Sequence, residues 1–121
     1  MRALVGIDLR GAGHEWLVER AGLYAERLSA PLDVVYFLGD GTEFAEYKLR
    51  LTLLMSSLPP VARGVARIEH GHPAEGFVQL SSEYDVLVVG SREPTALERL
   101  LHGPMAGRVL RSARCPVRRA R

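Results

Sequence analysis

Four consecutive aliphatic residues, Val86-Leu87-Val88-Val89, run without a polar interruption into Gly90-Ser91-Arg92. A strand with one solvated face alternates apolar and polar side chains. An unbroken run therefore marks a strand covered on both faces, the habit of parallel sheets flanked by helices. Ala3-Leu4-Val5-Gly6-Ile7 reads as a second such strand, ended by Asp8 and the turn residues Arg10 to Gly13, and Leu32 to Leu38 as a third, closed by Gly39-Asp40-Gly41. Between them Leu17, Ala21, Tyr24, Ala25 and Leu28 recur at helical spacing, which predicts a helix over Glu15 to Ser29 stopped by Pro31. Phe44, Tyr47, Leu51, Leu54, Met55 and Leu58 form a second stripe, which Pro59-Pro60 ends.

Val61 to Glu69 alternates less cleanly, with Arg63, Arg67 and Glu69 on one parity, as expected of an edge strand. Gly71-His72-Pro73 opens a third helix with Phe77, Val78, Ser81 and Tyr84 inward, and Pro73 occupies the first turn, where a missing N–H does no harm. A fourth helix is expected from Gly103-Pro104 with Met105, Val109, Leu110 and Ala113 inward, and Cys115-Pro116-Val117 begins a last short strand. Strands and helices alternate throughout, which predicts an α/β fold around a mainly parallel sheet. The 121 residues suit one domain, 1–121, so any ligand site lies within the chain or between copies of it.

The single Cys115 excludes an internal disulfide and a cysteine metal cluster. No apolar run approaches the roughly 20 residues of a membrane helix, and Asp8 comes too early for a secretory signal, so a cytoplasmic location and no membrane partner are expected. Charge is unevenly placed. Six arginines from Arg108 to Arg121 fall in a stretch with no acid, leaving ten basic against fourteen acidic residues before it. Such a tail attracts anions, but no aromatic-basic interleaving accompanies it, and nucleic acid is not the favoured partner. His70 and His72 form a His-x-His pair without a visible third ligand, so no metal site is assigned.

In open parallel sheets, ligands bind beyond the carboxyl ends of the strands where strand order reverses. If the first and fourth strands are neighbours, that crevice lies between Asp8 and Gly90, Ser91 and Arg92. At these residues the chain resembles the universal stress protein family. The likeness rests on Leu4-Val5-Gly6-Ile7-Asp8, Gly71-His72-Pro73-Ala74-Glu75, Val88-Val89-Gly90-Ser91-Arg92, Leu97 to Gly103, Arg108-Val109-Leu110-Arg111 and Cys115-Pro116-Val117, in the family's order and at compatible spacing. The resemblance implies a three-layer, Rossmann-like sandwich of the adenine nucleotide alpha hydrolase type, with a five-stranded sheet in the order 3-2-1-4-5.

It further implies an adenine nucleotide crevice with Asp8 near the adenosine and Phe37 lining the base pocket. Nucleotide-binding members carry Gly-x2-Gly-x9-Gly-[Ser/Thr], whose glycines let backbone N–H groups approach the phosphates. Here Gly90 and Gly103 match, but Glu93 stands at the second glycine and Pro104 at the hydroxyl position. A carboxylate beside phosphates costs about 1 kcal/mol or more per close charge pair, and proline has neither hydroxyl nor N–H. Arg92 and Arg99 are offset by Glu93 and Glu98.

No Ser/His/Asp order, paired carboxylates or complete phosphate loop suggests an enzyme. A receiver domain needs a lysine after its last strand, and the only lysine is Lys48. The expected function is a regulatory or scaffold module of the stress response that binds no cofactor tightly and works through a protein partner. The alternative is a stress-signalling module with ATP or AMP in the crevice. A homodimer is also expected, although the family's pairing through the last strand would set the arginines of Val117-Arg118-Arg119-Ala120-Arg121 against their own copies.

Overall fold

A computed structural model of the chain describes residues 1–7, 14–38, 44–71, 73–89 and 113–119. Strands β1 (Ala3–Ile7), β2 (Leu32–Leu38), β3 (Arg63–His70), β4 (Val86–Val89) and β5 (Val117–Arg119) form one sheet in the order β3-β2-β1-β4-β5. Every pairing is parallel. Helices α1 (His14–Arg27), α2 (Phe44–Met55) and α3 (Pro73–Leu80) connect successive strands. The expected order and the adjacency of the first and fourth strands are both present: Ala3 pairs with Val86, and Val5 with Val88.

Parity along the strands builds two cores. Ala3, Val5, Ile7, Val34, Tyr36, Val86 and Val88 face α1 and α2, meeting Leu17, Val18, Ala21, Leu51 and Met55. Leu4, Val35, Phe37 and Leu87 face the opposite way, onto Phe77, Leu80 and Tyr84. All five residues of β1 and all seven of β2 are buried, so these strands carry apolar side chains at both parities and lack the alternation of a half-solvated strand.

Element ends depart from the expected bounds, and local hydrogen bonds explain why. Helix α1 stops at Arg27 because Ser29 takes the left-handed region at φ 52, and Ala30 N–H then bonds to the Ala25 carbonyl at 2.9 Å. Pro31 follows the stop and does not cause it. Helix α2 ends at Met55, short of Leu58. Ser56 and Ser57 hydroxyls donate to the carbonyls of Leu53 and Leu54 at 2.5 and 2.7 Å, and the Arg63 guanidinium caps the carbonyls of Ser56 and Leu58 at 3.1 and 2.7 Å. These groups offer the backbone an alternative to another helical turn.

The edge strand begins at Arg63 because Pro60–Ala62 forms a 3-10 turn after Pro59. Helix α3 also stops early, at Leu80, and Ser81–Glu83 makes a second 3-10 turn. Tyr84 is therefore buried from an extended segment and not from the helix. Lys48, on α2, donates its ammonium to the Ala66 carbonyl and so ties that helix to the edge strand. The expected fourth helix from Gly103 to Leu110 lies outside the described residues, and Ala113 is not helical.

Candidate functional site

Strand order reverses between β1 and β4, whose successors β2 and β5 lie on opposite sides of the pair, and in open parallel sheets ligands bind beyond the carboxyl ends of the strands at such a point. Ile7 and Val89 are the last residues of these strands. Asp8, Gly90, Ser91, Arg92, Glu93, Gly103 and Pro104 lie outside the described residues, as does His72.

Phe37 is described, and its environment is informative. It sits one residue from the end of β2, its side chain on the α3 face and 7% exposed. Its ring is tilted at 47° against Phe77, with centroids 5.8 Å apart. Beneath it lies Gly76, where a Cβ would come within 2.1 Å of the Phe37 ring. The ring is thus seated in the core between sheet and helix. Its neighbour Tyr36 points to the other face, 5.1 Å from the Tyr47 ring.

The aromatic surface at this end of the sheet comes from a different pair. Phe44 opens α2 and is 46% exposed, and its ring stacks on the exposed His70 at the end of β3, at 6.4 Å and 17°. His70 is therefore a stacking partner of Phe44. Among the described residues, no three His, Cys, Asp or Glu side chains gather as a metal site.

A further polar cluster, not anticipated from the sequence, occupies the opposite end of the sheet. Asp33, 2% exposed, accepts hydrogen bonds from the Arg2 guanidinium at 2.5 Å, the Tyr84 hydroxyl at 2.5 Å and the Val65 N–H at 2.8 Å. A buried carboxylate needs such company, because an isolated charge out of water is strongly unfavourable. Arg67 extends the cluster, donating to the Tyr84 hydroxyl at 3.1 Å and to Glu69 at 2.8 and 3.0 Å.

Burial, together with the bond to Asp33, pushes the Tyr84 phenol up to about 12. Burial works against the charge on Arg67, yet its bonds to Tyr84 and Glu69 outweigh that and hold it above its usual value. The bond to Asp33 raises Arg2 in the same direction. Gly64 makes the cluster possible: a Cβ there would lie 2.1 Å from the Asp33 carboxylate and 2.6 Å from the Leu32 carbonyl. The β2–β3 register shifts at this point. The arrangement ties Arg2, β2, β3 and the segment before β4 together, with the carboxylate enclosed by donors. The legible signal was an aspartate within the apolar run Leu32 to Leu38, on the parity that faces α3.

Cys115 is half-buried against the same core as Phe77 and Leu87, and burial raises its thiol. No described helix is long and apolar enough to cross a membrane.

A model of the universal stress protein family matches residues 1–118. The chain belongs to the universal stress protein family. Solved structures agree in fold. A universal stress protein from Archaeoglobus fulgidus aligns with a TM-score of 0.74 at 23% identity, over 100% of this chain and 93% of that one. The structure of the universal stress protein from Archaeoglobus fulgidus in complex with dAMP gives 0.74 at 22% identity, over 100% and 98%. A universal stress protein in complex with cAMP gives 0.68 at 24%, over 98% and 95%. No curated protein sequence matches the chain significantly.

Proposed function

We propose that this family member is a regulatory or scaffold module of the stress response that acts through protein contacts, binds ATP weakly at most and catalyses no reaction. The observation that carries this reading is the pair of departures in the phosphate motif, Glu93 and Pro104 between and beside Gly90 and Gly103. One adds a negative charge where phosphates would sit, and the other removes a hydroxyl and an N–H. The seating of Phe37 supports it from the other end of the crevice, since a ring 7% exposed and packed on Phe77 offers little face to a base.

A second reading has a specific observation in its favour. Two relatives of this fold were solved with dAMP and cAMP, ligands with a single phosphate, which demand less of the motif than a triphosphate. In this chain AMP would lie between Asp8 and Gly90, with Ser91 and Arg92 beside the phosphate.

Calorimetry with Mg-ATP, AMP and cAMP separates the two. The expected result is no micromolar binding of any of them to the wild type, and measurable ATP binding in the Glu93→Gly, Pro104→Ser double variant. Micromolar binding of AMP or cAMP with none of ATP would favour the second reading, and tight wild-type ATP binding would refute the first.

A further inference from the structure

A groove of about 840 Å³ lies between α1 and α2. Leu23 from α1 and Leu53, Leu54 and Leu58 from α2 and the turn after it line the groove, together with the polar Glu15, Glu19, Arg50 and Ser57. Leu23 is 43% exposed and Leu53 61%, and Leu49, one turn before Leu53, is 60% exposed. Two adjacent helices therefore present leucines to solvent on one side.

The charges around these leucines have a pattern. Glu15, Glu19, Leu23 and Arg27 are spaced four apart, which puts them on one row of α1. All four are exposed. The row reads acid, acid, apolar, base, and an order of this kind complements itself when reversed.

We propose that this face is a two-fold interface between copies of the chain, with the α1 rows packed antiparallel about Leu23. In a two-fold interface each contact occurs twice with the partners exchanged. Centring the axis on Leu23 sets Glu19 of one copy against Arg27 of the other, and the reverse pair across the axis. Glu15 then meets the position of Pro31, so no like charge opposes it along the row. Rows of residues four apart interdigitate when helices cross at about 50°, a common packing that brings Leu53 of both copies beside the central leucines. The apolar centre and charged margin match the usual anatomy of an interface.

This arrangement contrasts with pairing through β5, which would bring arginine to arginine across the axis. It does not depend on whether a nucleotide occupies the crevice.

Sedimentation equilibrium over roughly 1–200 µM tests the proposal, with circular dichroism and thermal melts to establish that each variant is folded. The wild type should be dimeric in the upper part of that range. Leu53→Glu should weaken the dimer about 100-fold or more, since it puts charge at the apolar centre. Glu19→Arg should weaken it about tenfold, and Glu19→Arg with Arg27→Glu should recover to within about threefold of wild type, because the swap restores opposite charges. A wild type that stays monomeric throughout would overturn the proposal. So would a dimer indifferent to Leu53→Glu, or one that tightens only when Arg118 and Arg119 are changed to Val, which would assign the interface to the strand edge.

Discussion

Phe37 and Gly76 show how one missing methyl group fixes the position of a ring. In an exposed helix, alanine is favoured over glycine by about 1 kcal/mol. At Gly76 the new Cβ would meet three atoms of the Phe37 ring, at 2.1, 2.8 and 2.9 Å. That ring is held against Phe77 and has little room to turn. Gly76→Ala is therefore expected to destabilise the protein by about 2–3 kcal/mol, reversing the sign that helix propensity alone predicts. Urea melts measure this. Adding Phe37→Leu to Gly76→Ala should return part of the loss, because the two changes share one space. If Gly76→Ala were neutral or stabilising, the ring would not be seated as described.

Among the elements, the strands were the most legible, and physics accounts for the difference. Ala3–Ile7, Leu32–Leu38 and, in β4, Val86, Leu87 and Val88 are buried at both parities, so composition alone marks them. The helix ends were hidden because they depend on side chains that take up backbone carbonyls: Ser56, Ser57, Ser81 and Arg63 each accomplish locally what another helical turn would have done. Its spacing from Phe77 and Ser81 suits Tyr84 to a helix, yet its place is set by the bond to Asp33, 51 residues away. No pattern of short period contains that contact. In the candidate site, family likeness alone points Phe37 toward a base pocket, while its packing on Gly76 and Phe77 joins β2 to α3 and is visible only in three dimensions.

The Asp33 cluster also makes the junction of β2, β3 and β4 sensitive to alkali. Tyr84 holds its proton up to about 12 in the folded chain, against an ordinary value near 10. The unfolded chain releases that proton first, so this contribution is complete below pH 10 and is lost as the pH rises toward 12. The expected loss is about 1–2 kcal/mol. Tyr84→Phe should be less stable than wild type at pH 7 by about 1–3 kcal/mol, since Asp33 loses a donor, but should show a flatter decline between pH 10 and 12. Denaturant melts at pH 7, 9 and 11 on both proteins make the comparison. An equally steep decline in the variant would place the alkaline sensitivity elsewhere.

For the whole molecule, the two faces of the sheet are held by different means. Among the described residues, the α1 and α2 side rests on a mostly aliphatic core, whereas the α3 side combines Phe37, Phe77, Tyr84 and their aliphatic neighbours with the charged cluster around Asp33. The chain's only lysine lies on the first of these sides, and its ammonium is hydrogen-bonded to the Ala66 carbonyl of the edge strand. An acylating reagent, which needs a free and deprotonated amine, thus has one internal target, and that target reports on whether α2 is docked. Native protein should acylate at Lys48 at least about tenfold more slowly than the unfolded chain, with the ratio set by how often the helix lifts from the sheet. Mass spectrometry of timed reactions would follow it directly, and equal rates in the native and unfolded protein would mean that α2 leaves the edge strand freely. A composition so poor in lysine thereby equips the fold with a single-site chemical clock for the opening of its outer layer.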